Sequence, residues 1–297
     1  MGLSPYQIEE FVRWALMEDV GSGDITTDSV VPEDAVAMAT VVAEQDGIVA
    51  GGDVAKLVFQ MIDKRIIYSP LIKDGQEVEA GQGIAVVEGP ARAILTGERV
   101  ALNFLQHLSG IATVTHQYTE LIRYYSAKLT DTRKTTPGLR LMEKYAVRVG
   151  GGQNHRRGLY DAVLIKENHI RLAGGLKQAV VLTREKIPHT MKIEVEVDGM
   201  DAVAEALAAK VDIIMVNNLS IDLLKQVVQA VDGQAIIEVS GLDCGDKIVD
   251  IAKTGVDYIS LSCLTDSFRP LGMHLTIGDI KPGDDETPPD GDGHEPR

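Results

Sequence analysis

The chain opens on a helical period. Ile8, Phe11, Val12, Ala15 and Leu16 in PYQIEEFVRWALME fall three and four residues apart and predict a helix over 5–18, which the Gly-rich EDVGSGDITT then ends. The period next shortens. MATVVA (38–43), GIVAG (47–51), RIIYSP (65–70) and GIAVVEG (83–89) are short apolar or alternating runs bounded by Gly, Pro and Asp, as in a small β-rich layer. After Pro90 the helical spacing returns and continues to Tyr125, and Ser109–Gly110 in its middle predicts two helices rather than one.

From residue 127 the pattern alternates. Strands are predicted near 128–132, then at DAVLI (161–165), MKIEVEV (191–197), VDIIMV (211–216), QAIIEVS (234–240) and VDYISLS (256–262). Helical segments Met200–Lys210 and Ile221–Val231 separate the later ones. Those strands are β-branched and almost continuously apolar, which suits parallel strands covered on both faces. The expected architecture is an α/β barrel-like domain behind a smaller β-rich one. In such a barrel the ligand groups stand at the C-terminal ends of the strands. Asp131–Lys134, Lys166, Glu196, Asn217, Ser240–Gly241 and Ser262 all fall at or just past predicted strand ends.

Charge sharpens this picture. The 297-residue chain carries a formal net charge of −15, which argues against broad attraction to nucleic acid or to an anionic membrane surface. Between Arg133 and Lys166, however, eight basic residues face only two acids, Glu143 and Asp161. Adjacent cations repel, so this local inversion points to a polyanionic ligand. Arginine forks match carboxylate and phosphate oxygens in pairs, while lysine supplies a compact charge. Lys144 and Arg148, four apart on a predicted helix, also fit a solvated face.

Glu196 and the Asn217–Asn218 pair bring the opposite chemistry. A carboxylate at a strand end can accept from sugar hydroxyls, hold the water shell of Mg²⁺, or stabilise developing positive charge. Glu194 shares its face by β periodicity, and either acid can instead be a buried partner of a lysine. Of the histidines, His155 stands out because it sits inside NHRR (154–157); His107, His116, His189 and His274 are read as surface or core residues. The two cysteines, Cys244 and Cys263, form no metal-binding spacing and are read as small buried residues. No phosphate loop, dinucleotide fingerprint, GxSxG elbow or HExxH occurs. Without a cationic flank before an apolar run, and with no apolar segment of membrane-spanning length, a soluble cytoplasmic protein is expected. The stretch from Lys281, acidic and proline-rich, reads as a disordered tail.

Several long motifs resemble one family in order along the chain. EDVGSGDITT (18–27), ERVALNFLQHLSGIAT (98–113), DTRKTTPGLR (131–140), EKYAVRVGGGQNHRRGLYDAVLIKENHI (143–170), IEVEV (193–197), EVSG (238–241) and GVDYIS (255–260) look like quinolinate phosphoribosyltransferase, the carboxylating nicotinate-nucleotide pyrophosphorylase family.

The resemblance implies an N-terminal α/β sandwich over 1–112, completed by a returning segment at 270–281. Beside it stands an open, incomplete TIM-like α/β barrel over 113–269, with the acidic tail at 282–297. It also implies a homodimer or larger assembly in which Arg99 reaches the neighbour's site. The implied reaction joins quinolinate to 5-phosphoribosyl-1-pyrophosphate with Mg²⁺ and releases pyrophosphate and CO2. Arg99, Thr132, Arg133, Lys134, His155 and Arg156 are then expected around quinolinate, Lys166, Glu196 and Asn217 at the ribose and pyrophosphate, and Ser240, Gly241 and Ser262 at the 5′-phosphate. Lys134, Lys166, Glu196 and Asn217 are the expected catalytic set, with Glu196, through water, and Asn217 nearest the metal.

The chain departs from the family pattern in three places. Met215-Val216-Asn217-Asn218 stands for MLDN, Leu242 for a glycine, and Ser262 for another glycine. Two other readings therefore stay open: a divergent paralogue acting on another aromatic acid, of the molybdenum-transport-associated type, and a non-catalytic anion-binding protein.

Overall fold

The computed structural model describes residues 3–217, 219–242, 245 and 247–278. The tail expected at 282–297, Asn218 and Cys244 lie outside the described residues.

In the N-terminal half, α1 (Pro5–Val20) and α2 (Ile25–Val30) lead into β1 (Val36–Ala43) and β2 (Gly47–Ile48). Then come α3 (Gly52–Ile62), β3 (Ile67–Pro70), β4 (Glu77–Val78) and β5 (Gly83–Pro90). The linking helix α4 (Ala91–Ile122) is followed by β6 (Lys128–Thr130), α5 (Arg140–Val149), β7 (Val163–Ile165), α6 (Glu167–Ala173) and α7 (Leu176–Arg184). The chain continues through β8 (Ile193–Val197), α8 (Met200–Ala208), β9 (Ile213–Asn217), α9 (Ile221–Val231) and β10 (Ile236–Ser240). It ends with α10 (Ile248–Ala252), β11 (Tyr258–Ser260), α11 (Cys263–Asp266) and β12 (Met273–Ile277).

An antiparallel sheet ordered β12-β1-β5-β3 forms the smaller domain, and its edge strand β12 returns from the far end of the chain. Alternate residues of β1, Ala37, Ala39, Val41 and Ala43, are buried, while Val36 and Met38 face out. That period of two is what a sheet covered on one face requires. The covering helix α3 buries Val54, Ala55, Val58 and Phe59.

The larger domain is a parallel sheet ordered β6-β11-β10-β9-β8-β7. Its strands remain open between β6 and β7, the incomplete barrel expected. Burial on both faces explains their apolar runs: in β9, Ile214, Met215 and Val216 are all inside.

Two expectations fail here. Residues 91–122 form one helix, not two. Ser109 does not break it because its hydroxyl bonds the backbone of Ala50, accepting from the N–H at 2.9 Å and donating to the carbonyl at 3.2 Å. Gly110 serves packing: a Cβ there would lie 2.3 Å from the Arg269 carbonyl. Cys263 is buried and disulfide-bonded, which corrects its reading as a plain apolar filler. No helix among the described residues is long and apolar enough to cross a membrane.

Candidate active site

The mouth of the barrel assembles from strand ends. β6 delivers Thr132, Arg133 and Lys134; β7 delivers Lys166, the N-cap of α6; β8 carries Glu196 as its penultimate residue and β9 ends at Asn217; β10 ends at Ser240, with Gly241 just past it; Ser262 opens α11. The NHRR segment precedes β7 instead of following a strand, yet it arrives at the same mouth. Gln153 pairs as a single parallel bridge with Thr130, donating to Leu129 O at 2.8 Å and accepting from Asp131 N at 3.2 Å. That one residue runs alongside β6, so His155 and Arg156 emerge where Arg133 does.

These side chains surround a cavity of about 390 Å³. Thr132, Arg133, Lys134, His155, Arg156 and Lys166 line one part; Glu196, Asn217, Ser240, Gly241 and Ser262 line the rest. Arg99 is absent from it. It is exposed on α4, beside a separate depression formed with Asp19, Asp24 and Ile25.

Arg133 and Arg156 are close enough that burial, followed by the charge of Arg133, pulls the Arg156 guanidinium below its ordinary pKa. Both Nε–H groups are buried without a hydrogen-bond partner. Unused charged donors in a cavity are an anion site in waiting. Opposite them, Lys166 Nζ lies 3.0 Å from Glu196 Oε2, and Asn217 Nδ2 donates to Glu196 Oε1 at 3.3 Å. Glu196 Oε2 has no hydrogen-bond-aligned donor despite that lysine, and Asn217 Oδ1 is also buried without a partner. A carboxylate beside an unpartnered amide oxygen suits an oxygen-ligated cation or sugar hydroxyls. Gly241 has φ +77°, and a Cβ on it would sit 1.7 Å from Asn217 Oδ1, so glycine is required by both backbone and space.

Below the cavity, inside the barrel, Glu194 and Glu238 approach His155. Its Nε2 lies 3.0 Å from Glu194 Oε2 and 3.6 Å from Glu238 Oε1. Its Nδ1 accepts the backbone N–H of Arg156 at 2.7 Å, which places the ring proton on Nε2. Burial opposes charging the ring, but the Glu194 hydrogen bond and the two carboxylates outweigh it and hold the pKa above the ordinary value. Glu238 is pushed up to about 7, by burial first and the Glu194 charge second. With both nitrogens engaged, His155 forms wall rather than a free base.

Other sequence readings fare differently. Lys144 is not solvated; it is almost fully buried. Arg140 does not face the cavity, and its donors go to Thr135 Oγ1 at 2.9 Å, Arg157 O at 3.0 Å and Arg133 O at 3.3 Å. Leu164, Met215, Glu238 and Ser260 line the cavity without having been expected at the site, and Leu242, noted as a departure from the family pattern, lines it too. Period two from Ser240 would have found Glu238. His107 and His274 pair with Glu143 and Glu44, His116 lies 3.8 Å from Glu77 and His189 is exposed, as ordinary surface or core residues.

A parallel α/β barrel with a cationic half and an acidic, amide-bearing half at its strand ends belongs to the class of enzymes that handle multiply anionic small molecules. The comparisons narrow the class. Residues 24–109 match the N-terminal domain of quinolinate phosphoribosyl transferase and residues 111–276 its C-terminal domain. A Bacillus subtilis relative described as a probable carboxylating nicotinate-nucleotide pyrophosphorylase is 40% identical over 271 residues, covering 91% of this chain and 93% of its own. The Mycobacterium leprae carboxylating nicotinate-nucleotide pyrophosphorylase is 40% identical, with coverage of 90% and 95%. The solved nicotinate-nucleotide pyrophosphorylase of Francisella tularensis superposes with a TM-score of 0.87 at 42% identity, over 93% of this chain and 98% of that one. This chain belongs to the quinolinate phosphoribosyl transferase family.

Proposed function

We propose that this protein transfers the phosphoribosyl group of 5-phosphoribosyl-1-pyrophosphate to quinolinate with loss of CO2, yielding nicotinate mononucleotide and pyrophosphate for NAD biosynthesis. One observation carries the reading: Arg133 and Arg156 share a cavity with unspent Nε–H donors, facing the Glu196 carboxylate, which is paired with Lys166 and Asn217, and an Asn217 amide oxygen without a partner. One wall suits a dicarboxylate and the other a ribose. Both substrates are soluble and highly charged, which supports a cytoplasmic location.

In this reading Arg133, Arg156 and Lys134 grip the carboxylates while His155 and Thr132 shape the wall, so that the pyridine nitrogen is aimed at ribose C1. Lys166, Glu196 and Asn217 orient the ribose and pyrophosphate; Ser240, Gly241 and Ser262 take the 5′-phosphate. As the C1–O bond to pyrophosphate breaks, the Glu196 carboxylate stabilises the positive charge growing at C1. The ring nitrogen closes the new C–N bond. The resulting pyridinium withdraws electrons from C2, so the C–C bond to the neighbouring carboxylate breaks with the electron pair left on the ring, and a proton from solvent replaces CO2. The Glu196 carboxylate and the unpartnered Asn217 Oδ1 would hold Mg²⁺ partly through water, and the ion would supply neutralisation of the pyrophosphate charge.

The test is to mix purified protein with quinolinate, 5-phosphoribosyl-1-pyrophosphate and Mg²⁺ and to follow nicotinate mononucleotide. Steady product formation is expected; no product despite binding, or product from a different aromatic acid alone, overturns the proposal. The second of those outcomes is the divergent-paralogue reading, favoured only by Asn217, Leu242 and Ser262 at the cavity.

The active unit in this reading is a homodimer or a larger assembly. Arg99 is exposed and outside its own chain's cavity, in a depression with the exposed apolar side chain of Ile25, where a second copy would cover it and carry Arg99 to its partner's site. Mixing inactive Arg99→Ala and Glu196→Ala protomers should restore part of the activity. No restoration means that Arg99 does not act across the interface.

A further inference from the structure

The two basic loops of the site are joined by a buried polar hub whose own three residues, Asp131, Lys144 and Asn154, do not line the cavity. Asp131 directly precedes Thr132-Arg133-Lys134, Asn154 directly precedes His155-Arg156, and Lys144 stands on α5 between them in sequence. Asp131 is 0% exposed and Lys144 2%. Asp131 Oδ1 accepts from Lys144 Nζ at 2.5 Å and from the His155 backbone N–H at 2.8 Å, while Oδ2 accepts from Asn154 Nδ2 at 2.6 Å. Lys144 Nζ donates again to His155 O at 3.0 Å, and Asn154 Nδ2 to Lys144 O at 2.8 Å. His155 is thus gripped at its N–H and its carbonyl by the same pair of charges.

Burial lowers the Lys144 pKa and raises that of Asp131, each toward neutrality, while the mutual attraction of the pair and the three donors on the carboxylate work against that shift. A buried ion pair contributes little net stability compared with apolar side chains of the same volume. What it does supply is direction: a set of bonds of fixed length, two of which hold the His155 backbone beside Arg156, from residues that sit next to the cationic side chains in the chain.

We propose that Asp131, Lys144 and Asn154 are positioning residues for the carboxylate-binding half of the site, fixing Arg133 and Arg156 relative to each other so that two carboxylates on one ring can be held at once. This rests on the functional reading above. The hub reaches the loops after β6 and before β7 and makes no contact with Glu196, Asn217, Ser240 or Ser262. Its loss should therefore weaken the aromatic acid and spare the phosphoribosyl donor, a split that a merely structural pair would not produce.

The test variant is the charge-balanced double substitution Asp131→Asn with Lys144→Met, which avoids leaving a lone buried charge. Asn154→Ala is the milder companion if the double variant fails to fold. Thermal melting is paired with separate calorimetric titrations of quinolinate and of 5-phosphoribosyl-1-pyrophosphate with Mg²⁺. Expected for the double variant are a preserved cooperative transition, donor affinity within about twofold of the parent, and quinolinate affinity weaker by at least about tenfold; for Asn154→Ala the same split is expected at about threefold. Unchanged quinolinate affinity in folded variants, or equal loss of both ligands, overturns the positioning role. A parent protein that binds no quinolinate would instead overturn the functional reading on which it rests.

Discussion

Asn217→Asp isolates the chain's main departure from its family pattern. Asn217 Nδ2 donates to Glu196 Oε1 at 3.3 Å, so the substitution replaces a donor with a second negative charge at the same spacing. Two unit charges at that separation repel by about 5 kcal/mol at an effective dielectric of about 20, and by about 1 kcal/mol if water screens them fully. The Glu196 side chain is 23% exposed, which sets the net cost at about 1–2 kcal/mol. At about 2–4 °C per kcal/mol for a chain of this size, the metal-free variant should melt about 2–8 °C below the parent. A divalent cation between the two carboxylates would remove that repulsion. Differential scanning calorimetry with and without millimolar Mg²⁺ should show recovery of the loss in the variant and little change in the parent. Turnover at saturating Mg²⁺ should equal or exceed the parent's, with half-activation at lower metal concentration. A variant that melts identically with and without Mg²⁺ would refute the placement of the ion between these two groups, and an inactive variant would mean that the site is tuned to the amide.

Two further outcomes follow from the same geometry. Gly241→Ala should cost about 1–2 kcal/mol for the left-handed backbone alone and should also push Asn217 off Glu196, so donor affinity falls while quinolinate binding stays; calorimetry on both ligands checks this, and unchanged donor affinity contradicts it. Glu238 titrates near pH 7 in the fold against an ordinary value of 4.5, so between those values the folded protein holds a proton that the unfolded chain has released. Its contribution is complete below about pH 4.5 and is lost as pH rises through about 7, and Glu238→Gln should flatten the fall in melting temperature across pH 5–8; the charged groups facing it are Glu194, His155 and Asp131, and loss of the Glu238 charge also removes part of what holds the His155 pKa up. Identical slopes in parent and variant would place the titration elsewhere.

Much of this molecule was legible in the chain because its two halves use different periods. The alternation of β1 and the continuous apolar runs of the barrel strands mark one sheet covered on one face and another on both, and the chemistry falls at strand ends because that is where parallel strands expose side chains. The single helix α4 was not legible: its apparent break, Ser109–Gly110, exists for contacts with Ala50 and Arg269, which are distant in sequence. Lys144 was equally hidden. An i, i+4 basic pair looks solvated until the partner, Asp131, is seen folding under it. The route by which NHRR reaches the mouth, through one bridging residue at Gln153, left no periodic trace.

Arg133 and Arg156 bring two guanidinium groups into one cavity of an otherwise acidic protein, where two carboxylates on one ring would engage both. Titrating the protein calorimetrically with quinolinate and with nicotinate, which lacks the second carboxylate, tests it directly. The account predicts that quinolinate binds at least about tenfold more tightly, the worth of one charge-assisted contact of about 1.5–3 kcal/mol, and that Arg156→Ala abolishes the difference. Equal affinity for the two acids in the parent protein would contradict it.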